Sequence, residues 1–274
     1  MDDQTSGGPP DRRAVDPAKD RVRQQFGSNA ANYATSVVHA KGASLGRLVE
    51  LMAPGPDWRM LDIATAAGHT AFAFAPHVAE VVASDLVDEM LVVARDGAAE
   101  RGLDNVSFET ADAEALPFED RSFDGVTCRI APHHFEHPDR FMAEVARVLR
   151  PGALFGLVDN MVNDEASQFV NDWERKRDPS HILALSVERW TSLIEAAGLS
   201  MVAAETLAKR MQFQAWTENM SVPEQTRVEL LDELENAPEA ATIYLRPEFG
   251  RSGDQAAAAF HLTEGVLVGR RAAA

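Results

Sequence analysis

The strongest constraint on this chain is the alternation, through its middle, of short apolar runs with helix-periodic stretches. Met60-Leu61-Asp62-Ile63-Ala64, Val81 to Asp85, Val106 to Glu109, Phe123 to Ile130 and Ala153 to Asp159 are runs of strand length. Between them lie Ala71-Phe72-Ala73-Phe74-Ala75, closed by Pro76, and a stretch from Asp88 with Met90, Val93, Ala94 and Ala98 on one helical face before Gly102. A third helical stretch carries Phe141, Val145 and Val148 ahead of Pro151-Gly152. Parallel strands need crossovers of this length, whereas antiparallel neighbours do not. The expected fold is α/β, a doubly wound, mostly parallel sheet with helices on both faces. Upstream, Leu45, Leu48, Val49 and Met52 predict a helix that stops at Pro54-Gly55-Pro56. Beyond Asp159 a polar stretch gives way to a helix with Trp190, Leu193, Ile194 and Ala197 ending at Gly198, and then to a strand at Gly265 to Gly269.

The 274 residues suffice for one large domain with an insertion. Residues 1–20 mix Asp, Gly, Pro and Arg without an apolar core and read as a disordered tail, neither signal peptide nor anchor. Residues 21–274 are expected to form the single domain, with N-terminal helices over 21–56 and a substrate-covering cap over 161–190, after the fifth strand, where long insertions cover substrates. The formal net charge of −17 repels phosphate backbones and anionic lipid, so nucleic acid and membrane are not expected partners. No apolar run approaches the roughly 18 residues of a bilayer span. A single cysteine, Cys128, forms no internal disulfide, fits a reducing cytoplasm and reads as a small buried hydrophobe. A small molecule is the expected partner, and nothing in the sequence speaks to oligomeric state.

In open α/β sheets ligands bind beyond the carboxyl ends of the strands. The first strand runs into Asp62-Ile63-Ala64-Thr65-Ala66-Ala67-Gly68-His69, whose small residues let backbone amides approach a ligand. The second ends at Asp85, where a carboxylate can accept both hydroxyls of a ribose. The third ends at Ala111-Asp112-Ala113-Glu114, which offers a carboxylate near an adenine amino group. Singly these have ordinary readings: a tight packing turn, a helix cap at Asp85, a turn residue at Asp112. Their order at successive strand ends outlines an adenosine. A nicotinamide dinucleotide, and hence an oxidoreductase, is the alternative, weakened by the lack of G-x-G-x-x-G and of a Tyr/Lys pair.

The run Leu61-Asp62-Ile63-Ala64-Thr65-Ala66-Ala67-Gly68-His69-Thr70, with Asp85, Asp112-Ala113-Glu114-Ala115-Leu116-Pro117-Phe118, Ser122-Phe123-Asp124 and Arg147-Val148-Leu149-Arg150-Pro151-Gly152, resembles the small class I methyltransferases of the ubiquinone and menaquinone biosynthesis type. The likeness is good from about Phe26 to Gly156. It implies a Rossmann-like class I methyltransferase fold, S-adenosylmethionine as cofactor, and methyl transfer to a small-molecule acceptor of aromatic, phenolic or quinone-like kind. The alternative within the family is a member that keeps the cofactor but catalyses another reaction. By the likeness, the first loop (Asp62, Ala64, Ala66, Gly68) holds the methionine part, Asp85 the ribose, and Asp112 with Ala113 the adenine; Leu86, Met90 and Arg129 belong to the same set. Phe26, Tyr33, Ser36 and His39 look like the family's N-terminal lid, with Tyr33 near the cofactor carboxylate. One departure matters: the family loop is commonly D-x-G-x-G-x-G, whereas this chain has Ala64 and Ala66 at the first two glycine positions. Alanine is less tolerant of positive φ, and the Ala66 methyl stands where the amino-acid end should pass.

The fourth strand is followed by Cys128-Arg129-Ile130-Ala131-Pro132-His133-His134-Phe135-Glu136-His137, which should face the transferable methyl group. His133 or His134 can take a proton from the acceptor, and His134 ranks first because it is expected to open the next helix. No Cys or carboxylate set at ligand spacing accompanies these histidines, so no metal is expected. A polar cluster of Asn171, Trp173, Glu174, Arg177, Asp178, Ser180 and His181 supplies the second-rank candidates, His181 and Arg177. Trp173, Trp190, Trp216 and Phe213 are candidates for an apolar floor, with core packing the commoner fate of such rings.

Overall fold

The computed structural model describes residues 16–34, 42–250 and 254–273. Helix α1 (Pro17–Ala34) begins inside the stretch assigned above to the tail. The reason is local: the Asp16 carboxylate accepts the Ala18 and Lys19 amides at 3.1 and 3.3 Å, and Pro17 takes the first helical position, where its missing N–H leaves no gap. Helix α2 (Ala43–Met52) follows, and then the sheet begins with β1 (Arg59–Ile63) and β2 (Glu80–Asp85), joined by the short α3 (His69–Phe74). Next come α4 (Asp88–Arg101), β3 (Val106–Thr110), β4 (Phe123–Arg129), α5 (Pro138–Val148) and β5 (Leu149–Asn160). The chain then forms α6 (Asp164–Arg177), α7 (Val187–Ala196), β6 (Leu199–Gln212), α8 (Phe213–Glu218), α9 (Glu224–Glu235), α10 (Glu239–Leu245) and β7 (Ala259–Arg271).

The seven strands lie in the order β3-β2-β1-β4-β5-β7-β6. The first five are parallel, and β7 runs antiparallel to both its neighbours. The order reverses at β1 and β4, where crossovers leave to opposite sides and a crevice opens at the strands' carboxyl ends. Alternate residues serve the two faces, as the pleat requires. Leu61, Ile63, Val126, Phe155 and Leu157 pack under α5 and α7 with Phe141 and Trp190; Met60, Val81, Leu154 and Val158 pack under α2 and α3 with Leu48, Met52 and Phe74. Cys128 is buried in β4.

Helices beyond β5 extend past the segment 161–190 that was expected to cover the substrate. Helices α6, α8, α9 and α10 enclose an apolar cluster of their own around Trp173 and Trp216, whose rings stack 4.3 Å apart at 22°. The Trp173 indole donates to the Leu230 carbonyl at 3.0 Å, tying α6 to α9. Strand β7 supplies Phe260 and Leu262 to this cluster and Val266 and Val268 to the sheet core, so one strand belongs to both. It is far longer than the Gly265 to Gly269 segment anticipated.

Candidate active site

The turn after β1 is held from beneath. Buried Asp62 accepts the Thr65 hydroxyl at 2.6 Å and the Thr127 hydroxyl at 2.8 Å, joining the loop to β4. Burial raises the Asp62 pKa to about 6 despite these bonds. Above it the backbone is left-handed at Ala64 (φ 52°), Ala66 (φ 47°) and Gly68 (φ 87°). Glycine suits this conformation, and at Gly68 it is required, since a Cβ there would meet the Phe72 ring. The two alanines hold the same conformation at a cost of roughly 1–2 kcal/mol each. Such strain persists where the surroundings fix it, often at ligand sites.

Asp85 supplies part of that fixing: its carboxylate accepts the Ala66 amide at 2.8 Å and the Val87 amide at 3.0 Å. Burial raises its pKa to about 6, with the amide bonds pulling the other way. At the third strand's end, Asp112 accepts the Glu114 amide at 3.0 Å and the Lys19 ammonium at 2.7 Å. Lys19 also reaches Glu114 at 3.0 Å, so α1 is clipped across the crevice. Burial opposes the Lys19 charge, but the two carboxylates outweigh it and hold its pKa well above the ordinary lysine value.

Strand β4 ends in Arg129, whose guanidinium donates to the Thr70 hydroxyl at 3.0 Å; burial lowers its pKa, against the pull of Glu264 and Asp62. Ile130 follows at φ 53°, a costly conformation for a β-branched residue. This bend brings the 3₁₀ turn Pro132–His134 beside the end of β5. There His133 Nδ1 lies 2.6 Å from Asp159, which is fully buried and whose second carboxylate oxygen has no partner. Burial opposes charge on His133, but Asp159, with Glu174 and Asp178 farther away, prevails and raises its pKa. His134 differs. Its Nδ1 donates to the Ser180 carbonyl at 3.0 Å, leaving Nε2 with a free lone pair, and burial together with His133 pushes its pKa down. Phe26 of α1 meets the His134 ring edge-on at 5.0 Å.

These features surround a cavity of about 420 Å³. Ala64, Ala66, Asp85, Leu86, Met90, Asp112, Ala113, Arg129, His133 and His134 all lie on its wall, so the structure gathers most of the expected site residues. Three others are absent from the wall. Asp62 sits under the loop, Gly68 caps α3, and His181 lies behind His133 with ring centroids 5.3 Å apart. The His181 Nε2 is 2.7 Å from the Asn171 side-chain oxygen, and burial with the neighbouring histidines lowers its pKa. It supports the site from behind rather than facing it. The Tyr33 side chain, and Ser36 and His39 altogether, lie outside the described residues. Among Trp173, Trp190, Trp216 and Phe213, only Trp216 reaches the cavity. Arg177 does so as well, paired with Glu174 at 2.8 Å.

Lys19, on the cavity wall, and Asp159, against His133, are residues that sequence reasoning did not single out. Asp159 carried a usable signal, an acidic residue at a strand's carboxyl end like Asp85; Lys19 carried none. Among the described residues, no group of three or more His, Cys, Asp or Glu could hold a metal ion, and no helix is long and apolar enough to cross a membrane.

Comparison with known proteins agrees with this geometry. Residues 61–157 match the model of a methyltransferase domain. The uncharacterized methyltransferase YcgJ of Bacillus subtilis is 36% identical over 218 residues, 79% of this chain and 86% of that protein. The crystal structure of a putative methyltransferase from Bacillus halodurans superposes with a TM-score of 0.80 at 34% identity, covering 84% of this chain and 100% of that one. Similarity to the ubiquinone/menaquinone biosynthesis C-methyltransferase UbiE of Brucella canis, 40% identical, spans only 39% of this chain and 42% of that protein. The oxidoreductase alternative has no place beside these relatives, and the chain belongs to the class I S-adenosylmethionine-dependent methyltransferases.

Proposed function

We propose that the cavity binds S-adenosylmethionine and that the enzyme methylates a small molecule lodged between the histidine turn and the cap. The observation that carries this reading is the buried Asp85 carboxylate at the crossing of the first and second loops. A charged oxygen there, on a buried side chain, suits a ribose diol. The residues present fit the rest of the cofactor. Asp112 and Ala113 would take the adenine, with Leu86 and Met90 against it. The strained loop from Ala64 would present amides to the methionine end, and Arg129 would attract its carboxylate. A volume of about 420 Å³ falls in the ordinary range for a ligand of this size.

When bound, the cofactor supplies an electrophilic methyl group on a sulfonium. The protein's contribution is positioning and exclusion of water. Trp216, Met211, Met220 and Leu262 line the cavity with apolar surface and favour a flat, largely apolar acceptor, in keeping with an aromatic, phenolic or quinone-like compound. Titration calorimetry with S-adenosylhomocysteine tests the reading: wild-type protein binds it and Asp85→Ala loses most of that affinity. Absence of binding by the wild type would remove the assignment.

A further inference from the structure

We propose that Lys209 on β6 joins Arg129 in holding the carboxylate at the amino-acid end of the cofactor, and that Asn160 takes the ammonium beside it. The inference rests on the cofactor reading above and deepens it by naming the grip on one end of that ligand. Strands β4, β5, β7 and β6 are neighbours in the sheet. Their register sets Arg129 beside Val158, Val158 opposite Val266, Asn160 opposite Glu264, Glu264 opposite Leu207, and Leu262 opposite Lys209. Residues paired in register, and residues two apart on one strand, share a face. Arg129, Asn160, Glu264 and Lys209 therefore stand on the side of Val158 and Val266, which α2 and α3 cover, at the end where the crevice opens. Lys209 lies one row nearer the cap, and its ammonium reaches back to Glu264 Oε1 at 2.5 Å. Its charge thus stands over the row of Asn160 and Glu264, with Arg129 on the row below.

Glu264 serves both cations. Burial opposes its charge, but Lys209 prevails, helped by Arg129, and its pKa is lowered. Arg129 feels Glu264 ahead of Asp62, whose oxygens accept the Thr65 and Thr127 hydroxyls under the loop. Arg129 and Lys209 lie on the cavity wall, whereas Glu264 lies behind it. An ammonium has three N–H donors, and Glu264 accounts for one of those on Lys209. What Lys209 offers the cavity is therefore positive charge with donors to spare, which suits a carboxylate. Asn160 lines the same wall, and its side-chain oxygen is buried without a partner among the described residues. That oxygen is an acceptor waiting for a donor. A ligand bringing a carboxylate and an ammonium together satisfies both needs, and an α-amino acid end does so.

The surrounding lining assigns this site to the cofactor. The carboxylates on the cavity wall sit on other elements: Asp85, Asp112 and Glu114 at the ends of β2 and β3, Glu136 after the histidine turn, and Asp178 after α6. None stands among the rows of β7 and β6. Toward the cap those two strands turn apolar at once, with Leu262 opposite Lys209 and Met211 beyond it, and Trp216 and Met220 continue the surface. Charge ends where the apolar chamber begins, as a boundary between cofactor and acceptor requires.

The probes are S-adenosylhomocysteine and 5′-methylthioadenosine, which keeps the adenosine and the sulfur but has no amino-acid end. By titration calorimetry the wild type should bind S-adenosylhomocysteine the more tightly. Lys209→Met keeps the length of the side chain and removes its charge. It should weaken S-adenosylhomocysteine by at least about tenfold and leave 5′-methylthioadenosine within a factor of about two, while Lys209→Arg keeps most of the difference. Asn160→Ala should act in the same direction. If Lys209→Met fails to fold because Glu264 is left buried and unpaired, Lys209→Met combined with Glu264→Gln removes the stranded charge and carries the test. Equal binding of the two probes by the wild type, or a folded Lys209 variant that loses both ligands equally or neither, overturns the inference. Failure of the wild type to bind S-adenosylhomocysteine at all overturns the cofactor reading, and this inference with it.

Discussion

The Ala66 amide donates to the Asp85 carboxylate at 2.8 Å, so the end of β2 holds the loop that leaves β1. The bond explains how an alanine stays at φ 47°, and it makes the geometry of the first loop depend on a residue in the second.

Replacing Asp85 therefore has two effects. Asp85→Ala should weaken S-adenosylhomocysteine binding by about 1.5–3 kcal/mol, the range for hydrogen bonds to a charged group. It should also free the loop, seen as faster amide exchange at Ala66. Calorimetry with undiminished affinity would show that the ribose is held elsewhere.

The pH dependence of binding has a definite sign. Unliganded Asp85 has its pKa raised to about 6, above the usual carboxylate value, so it takes up a proton below that pH. A ribose diol donates to the charged form and keeps the proton off. Affinity should fall as pH drops through about 6 and level off above it, and Asp85→Asn should flatten the curve. For stability the sign is opposite. The unliganded fold holds protons on Asp62 and Asp85 more tightly than the unfolded chain does, so these groups favour folding below the unfolded pKa, and that contribution is lost as pH rises through about 6. Denaturation in urea at pH 5 and pH 7 without ligand checks this.

Ala66→Gly relieves left-handed strain of roughly 1–2 kcal/mol and loses roughly 0.5–1 kcal/mol to the greater freedom of glycine in the unfolded chain. A net gain of up to about 1.5 kcal/mol, or roughly 3–6 °C in melting temperature, is expected by scanning calorimetry. Binding should tighten or stay the same. A clear loss of affinity in a folded variant would show that the native site is shaped around the methyl group.

Lys19→Ala removes the clip between α1 and the end of β3. The Lys19 and Asp112 side chains are partly exposed, so the cost to global stability should stay under about 1 kcal/mol. Local effects should be larger: faster proteolysis within residues 17–27, and dissociation of S-adenosylhomocysteine faster by roughly fivefold, equivalent to about 1 kcal/mol. Unchanged rates in stopped flow would detach α1 from ligand exchange.

Strands β1, β2, β4 and β5 were legible because each carries an apolar run buried on both faces, which is how parallel strands read, whereas β3, half-buried at the sheet edge, was legible from its place in the alternation. Strand β6 was not. Along Leu199–Gln212 half-buried and exposed residues alternate, with Glu205, Lys209 and Arg210 among them, as suits a sheet edge and defeats a search for apolar runs. The site divides in the same way. Asp85, Asp112 and the first loop sit where their strands end and could be placed from the chain alone. The pairing of His133 with Asp159, and of Lys19 with Asp112, depends on residues far apart in sequence, and local pattern carries no information about which distant partner arrives.

The position of β7 sets an order of events during synthesis. This strand is made after the other six, yet it fills the slot between β5 and β6, pairing Leu157 with Leu267 on one side and Glu205 with Val266 on the other. Strands β1 to β4, with Asp85 and Asp112 at their ends, need nothing from it and can pair while translation continues. The outer ladder of β5, beside Asp159, stays open until Ala259–Arg271 has left the ribosome. The histidine side of the cavity is therefore completed last, and a nascent chain halted before residue 259 would display two unpaired edges to its neighbours.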